Sequence, residues 1–326
     1  MNKSVNDFNK TGYVYLKSET TKDSLVSLKT EIASFYKDKN INKGTISVLE
    51  IDDINLQKKI IDLFNSDAIR NFLKNLSEEL KTEVYVLPSF HVMKNYHINR
   101  ASTNRIGWHR DCAGEQNYSY TFDKLKNSKY VFGKIGIYLQ ENIDSYGGAI
   151  DIIPYSHKYI KKNSIFLRKL QGLRLSLLCI LQKRFKKFYN FLPESLWMKF
   201  LSAKKTKASL GSPVFFDSRI QHRGSPIDDK YVSKTKKIDD YNILVPEDYT
   251  KISIYAHFGS TIGADSYIYD RIRRESVSMK NLCSDWLEEI SICEILYPQM
   301  YAGMQKIISP ILDKYFTKKN NTDLIL

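Results

Sequence analysis

Around residue 83 the apolar residues of this chain change period, so helix and sheet must occupy different stretches of it. Before that point Leu25, Leu28, Ile32 and Phe35, then Leu56, Ile60 and Leu63, then Ile69, Phe72, Leu76 and Leu80 recur at the spacing of an amphipathic helix. After it come short runs rich in β-branched and aromatic residues, at 84–87, 90–93, 130–139, 149–153, 214–216 and 252–258, which read as strands. Helical spacing returns beyond Gly263, with Trp286, Leu287 and Ile290, then Met304, Ile307, Ile308 and Ile311. The pattern predicts one α+β domain over 1–326. A helical layer covers 1–82, a mostly β core covers 83–157 and 208–262, and a helical region covers 263–326. A chain of this length can bury a large core without covalent staples. Cysteines 112, 179, 283 and 293 show no metal-ligand spacing and read as thiols in a reducing compartment. The opening MNKSVNDFNK has no apolar run behind its charges, so the expected location is cytoplasmic.

The segment 158–207, between the strands at 149–153 and 214–216, interrupts the β core. It holds eleven lysines and three arginines against the single acid Glu194, a local charge of +13 in a chain of net +14. Its pattern is helical, with Leu170, Leu173, Leu177, Ile180 and Leu181 predicted on one face and Arg174, Lys183, Arg184, Lys186 and Lys187 nearby. Aromatic residues, Phe166, Phe185, Phe188, Trp197 and Phe200 among them, lie between these cations. Such a pattern suits peripheral contact with an anionic membrane or an anionic lipid, and equally a lid helix with a solvated basic face. Its longest apolar stretch, 175–181, is far shorter than the roughly 20 residues that span a bilayer. A basic helix also invites a nucleic-acid reading, but no nucleic-acid-binding module accompanies it.

The chemistry-bearing constellation starts at Gly107-Trp108-His109-Arg110-Asp111. On a strand, residues two apart share a face, so His109 and Asp111 are predicted to converge there. A second imidazole closes the run Val214-Phe215-Phe216-Asp217-Ser218-Arg219-Ile220-Gln221-His222. Two histidines and one carboxylate on one side of a metal leave positions open, as oxygen chemistry at iron(II) requires. Taken alone, an H-x-D pair is weak evidence, because buried polar residues produce it often.

Two further motifs add specificity. The run Tyr146-Gly147-Gly148-Ala149-Ile150-Asp151-Ile152-Ile153-Pro154-Tyr155-Ser156-His157 resembles the phytanoyl-CoA dioxygenase-like family of iron(II)/2-oxoglutarate-dependent oxygenases, as do Phe215 to Gly224 and the opening Thr11-Gly12-Tyr13-Val14-Tyr15-Leu16. The resemblance runs from about residue 11 to about Gly259 and leaves out the basic segment and the C-terminal helices. It implies a double-stranded β-helix, or jelly roll, with a helical insertion. It further implies iron(II) on His109, Asp111 and His222, with 2-oxoglutarate and O2 as co-substrates. The expected reaction oxidises 2-oxoglutarate to succinate and carbon dioxide and hydroxylates an unactivated C–H bond of a small-molecule, lipid-linked or glycolipid substrate. In related halogenases a small residue replaces the carboxylate, so Asp111 favours hydroxylation.

The chain departs from the family at the far carboxylate of the co-substrate, where an arginine is usual. Lys251 opens the last core strand in its place, with Ser253 two residues on, and both are assigned to that carboxylate. Lys134 on a middle strand, Arg219 and Arg223 beside the distal histidine are rival cations. Tyr138 either hydrogen-bonds the co-substrate or packs. Two readings from other classes stand beside the oxygenase: a silent jelly roll that binds a ligand without iron, favoured by the missing arginine, and an oxygenase acting on nucleic acid.

Overall fold

The helical spacing of the first third becomes α1 (Lys3–Thr11), α2 (Lys22–Asp38), α3 (Ile54–Asp62) and α4 (Asp67–Leu80). Asn2, Thr21 and Asp53 cap the first three by accepting backbone N–H bonds, each worth about 1 kcal/mol. Helix α2 buries Leu25, Leu28, Ile32 and Tyr36 rather than Phe35. Tyr36 completes the i, i+4 step from Ile32, and its hydroxyl donates to the Val92 carbonyl at 3.1 Å. The computed structural model describes residues 2–41, 44–95, 97–99, 107–111, 127–141, 149–160, 165–185, 194–225, 242–244, 250–275 and 279–316.

The strands are β1 (Tyr13–Tyr15), β2 (Thr45–Ser47), β3 (Tyr85–Asn95), β4 (His97–Asn99), β5 (Phe132–Tyr138), β6 (Ile150–Ile153), β7 (Lys204–Lys205), β8 (Val214–Asp217), β9 (Gln221–Gly224), β10 (Asn242–Leu244) and β11 (Lys251–Gly259). They form a six-stranded sheet in the order β1-β8-β5-β11-β3-β2, a three-stranded sheet β7-β6-β9 and a pair β10-β4. Every strand pairing among the described residues is antiparallel. The chain passes from β5 in the large sheet to β6 in the small one, back to β8, across to β9 and finally to β11. That alternation is the winding of a jelly roll, and the two sheets do not close into one barrel among the described residues.

The runs at 84–87 and 90–93 join into the single strand β3. Its register against β11 shifts between Tyr255 and His257, and Ser89 there holds a positive φ of 103°. A buried carboxylate from the C-terminal helices, Glu289, accepts the backbone N–H groups of Ser89 and Phe90 at this bulge. It thereby satisfies donors that the irregular register leaves without a ladder partner.

Side-chain alternation gives the large sheet two different faces. The outer face, with Ile252, Ile254, Ala256 and Phe258 of β11 and Ile135 and Ile137 of β5, packs with the helices in one apolar core. The C-terminal part of that helical layer is α7 (Thr261–Glu275), α8 (Met279–Leu296) and α9 (Pro298–Phe316), numbered after the two insertion helices described next. Each fully buried Ile or Phe in this core contributes about 1.5–3 kcal/mol. The inner face meets the small sheet through Tyr138, Val214 and Phe216 against Ile150 and Ile152.

Segment 158–207 carries α5 (Ile165–Arg184) and α6 (Glu194–Leu201). Leu175 and Leu178 face the protein, packed with Trp108, Ile153, Met198 and Leu201, whereas Leu173, Leu177 and Ile180 stand in solvent. Helix α5 has apolar stripes on opposite sides, and periodicity alone does not say which one turns inward. Lys186 and Lys187 lie outside the described residues, as do Gly147 and Gly148. None of the described helices is long and apolar enough to cross a membrane.

Candidate metal centre

His222 sits on β9, and His109 joins it through an isolated antiparallel bridge, N–H to carbonyl at 2.8 and 2.9 Å in the two directions. This backbone pairing brings the two imidazoles together, with ring centroids 4.4 Å apart. Asp111 lies in a bend, not on a strand. It therefore reaches the imidazoles by a turn of the chain and not by the strand alternation expected of H-x-D. The ligating atoms of His109, Asp111 and His222 all lie within 4.8 Å of one another.

Both histidines present the same nitrogen. Nδ1 of His109 donates to the Gly107 carbonyl at 2.7 Å, and Nδ1 of His222 donates to the Ile220 carbonyl at 3.1 Å. Each Nε2 then carries its lone pair toward Asp111, 3.6 Å away from His109 and 3.7 Å from His222. Backbone carbonyls that fix tautomer and ring direction are the usual outer support of a metal-binding histidine. Burial pushes the His222 imidazole down to about 4 against the pull of Asp111, so it is neutral at pH 7, the form that binds a metal. Burial alone would raise the Asp111 carboxyl. Lys134, whose Nζ lies 3.1 Å away, and then the two imidazoles outweigh burial and hold it well below the usual carboxylate range. The His109 side chain is 51% exposed, so the cluster is open on one side. Two imidazoles, one carboxylate and an open side fit a divalent transition metal that keeps exchangeable positions.

The inner face of the large sheet leads away from this cluster. Cross-strand register pairs His257 with Lys134, Tyr255 with Gly136 and Ser253 with Tyr138. Lys251 is buried, donates to the Ala149 carbonyl at 2.7 Å and lies 5.3 Å over the Tyr138 ring. Burial pushes its ammonium down to about 8, opposed by the attraction of Asp151. The fully buried Ser253 hydroxyl has no hydrogen-bond partner among the described residues. Tyr138 hydroxyl lies 3.2 Å from that of Tyr255, a residue that belongs to none of the motifs although its i+2 spacing from Ser253 marks the same face. Gly136 is also part of the site: a Cβ there would meet the Tyr255 ring at 2.9 Å.

Arg219 and Arg223 are placed elsewhere. Arg219 grips Asp217 through Nε at 2.8 Å and Nη2 at 2.6 Å, and stacks 4.6 Å over Tyr130. Arg223 grips the fully buried Asp151 at 2.8 Å and lies 5.0 Å over Trp108. Trp108 itself packs against the insertion helix α5, so the residue beside His109 ties the metal cluster to the basic segment.

The Pro-x-Ser-His element has a supporting role. Ser156 hydroxyl accepts the Gln221 N–H at 2.7 Å, immediately before His222. His157 packs on Gly12, whose φ of 87° and lack of a Cβ admit the imidazole: a Cβ would lie 2.5 Å from Nδ1. Burial pushes His157 down to about 4, and its Nε2 is 3.3 Å from the Asn9 carbonyl. The opening of the chain around Gly12 and the Pro154-to-His157 element thus meet, and Ser156 braces the strand of the distal histidine.

No protein-family model matches the chain, and no curated protein matches it. Among solved structures it is similar to the non-haem α-ketoglutarate-dependent epimerase SnoN from nogalamycin biosynthesis, at 10% identity over 79% of this chain and 81% of that one, with a TM-score of 0.43. It is similar to EctD from S. alaskensis, solved with 2-oxoglutarate and 5-hydroxyectoine, at 12% identity over 80% and 76%, TM-score 0.45. AviO1 from Streptomyces viridochromogenes Tue57 matches at 11% identity over 79% and 93%, TM-score 0.43.

Proposed function

We propose that this chain is an iron(II)- and 2-oxoglutarate-dependent oxygenase of the phytanoyl-CoA dioxygenase-like kind. The observation that carries the reading is the convergence of His109, Asp111 and His222 within 4.8 Å, with both Nδ1 atoms held by backbone carbonyls, both Nε2 atoms turned toward Asp111 and one side open. Iron(II) bound there, with O2 and 2-oxoglutarate, supplies an oxidant strong enough to take hydrogen from an unactivated C–H bond while the co-substrate leaves as succinate and carbon dioxide. The chain's own work is binding and orientation. Lys251 and Ser253 receive the far carboxylate: it offers the buried ammonium a charged acceptor in place of the Ala149 carbonyl, and it gives the Ser253 hydroxyl a partner. Tyr138, beneath Lys251, walls that pocket. Hydroxylation of a small-molecule, lipid-linked or glycolipid substrate is the preferred outcome. The test is succinate release from 2-oxoglutarate by the purified protein with and without iron(II), beside Asp111→Ala. Iron-dependent release that the variant loses supports the reading. No release, or release unchanged in the variant, leaves a ligand-binding jelly roll.

A further inference from the structure

Helix α5 is 20 residues long, about 30 Å, and turns an apolar stripe to solvent along its length. Phe166, Leu173, Leu177 and Ile180 recur at helical spacing on that stripe, with Phe166 74% and Leu173 67% exposed, whereas Leu175 is 2% and Leu178 1% exposed on the opposite side. Exposed stripes of this length on a soluble surface mark an interaction site. Its surroundings say with what. The helix carries Arg168, Lys169, Arg174, Lys183 and Arg184 and no acid, and at 100° per residue Lys169 and Arg174 fall on either side of the stripe. Arg174 lies 5.8 Å over the Phe200 ring, which links the stripe to Phe200 and Leu196 on α6, both exposed.

We propose that α5 docks this protein onto an anionic lipid bilayer, lying in the interface with Phe166, Leu173, Leu177 and Ile180 in the acyl boundary and its cations among the headgroups. Apolar residues on one face flanked by basic ones are the composition of an interfacial helix. A second copy of the chain is disfavoured as the occupant, because it would bring another +13 segment against the first. The side of α5 opposite the docked face packs Leu175 and Leu178 in one apolar cluster with Trp108, the residue before His109, so docking would hold the site close to material at the bilayer surface. That last step rests on the oxygenase reading; the docking itself does not.

The test is co-sedimentation of the full chain with phosphatidylcholine vesicles, with and without phosphatidylglycerol, across a salt series. It needs neither iron nor turnover, so its failure is separate from failure of the oxygenase reading. Binding should require the anionic lipid and weaken as salt rises. Lys169→Gln with Arg184→Gln should weaken it roughly twenty-five-fold, each basic residue at an anionic surface being worth about fivefold. Leu173→Gln, Leu177→Gln and Ile180→Gln together, all at exposed positions and checked for an unchanged melting temperature, should weaken it at least about a hundredfold. Equal binding to both vesicle types, no binding at any salt, or full binding by the leucine variant overturns the proposal. So does a self-association that the leucine variant abolishes, which would assign the stripe to a second copy.

Discussion

The Lys134 ammonium lies 3.1 Å from the Asp111 carboxylate, so a cation that reads as a co-substrate ligand in the sequence is also the partner of a metal ligand. A divalent metal must compete with it. Replacing Lys134 by Met should tighten manganese(II) binding roughly fivefold, the ~1 kcal/mol scale of a partly exposed ion pair, whereas Asp111→Ala should abolish it. Titration calorimetry with manganese(II), which avoids oxidation, reads both. Weaker binding by Lys134→Met would mean that Lys134 orients Asp111 and does not compete for it.

Lys251 should govern the co-substrate and spare the metal. Lys251→Met should weaken 2-oxoglutarate binding roughly tenfold to a hundredfold, the range of a lost charge-assisted hydrogen bond, with manganese(II) affinity unchanged. Because burial holds this ammonium at about 8, it loses its proton as pH rises through that value, and affinity for the dicarboxylate should fall there. Lys251→Arg, which stays charged, should remove the fall. If Lys134→Met raises the Michaelis constant for 2-oxoglutarate and Lys251→Met does not, the middle strand holds the carboxylate.

What the sequence made legible is what short-range pattern encodes. The convergence of His109, Asp111 and His222 follows from motif order, and the i+2 spacing of Lys251 and Ser253 already placed them on one face, where Tyr138 joins them across the β5–β11 register. The bend at Asp111 was not legible, because H-x-D looks the same on a strand and in a turn. Nor was the buried side of α5: Leu175 and Leu178 compete with Leu173, Leu177 and Ile180, and only the position of Trp108 decides between them. The partner of Arg223 was hidden for a different reason. Asp151 comes from β6, 72 residues away in the chain, and no local signal links the two.

That pair supports a stability prediction. Asp151 and Arg223 face each other in register across β6 and β9, and Ser225 hydroxyl adds a bond to Asp151 at 2.7 Å. Asp151→Ala takes from the buried Arg223 guanidinium the carboxylate that it grips through Nε and Nη2 and should cost about 3–5 kcal/mol. Asp151→Leu combined with Arg223→Met removes both charges and should recover most of that loss. Urea unfolding of the three proteins measures it. A cost below about 1 kcal/mol for the single variant would show that water reaches the pair.

The last prediction concerns Glu289, which accepts from Ser89 and Phe90 at the β3 bulge and from the Ser47 hydroxyl at 3.2 Å. Burial raises its carboxyl to about 8 in spite of those donors, against an unfolded value near 4.5. Between these two values the native state holds a proton that the unfolded state has released. Stability therefore falls as pH rises through that window, by up to about 1.4 kcal/mol per unit from this one group. Glu289→Gln keeps an acceptor oxygen at the bulge and cannot ionise, so it isolates the effect from every other titrating group. Urea unfolding of both proteins at pH 5, 6, 7 and 8 should show the parent losing stability relative to the variant at each step. The opposite slope would mean that the N–H groups of the bulge hold an ionised carboxylate, and that the strained turn at Ser89 is stabilised by a buried charge.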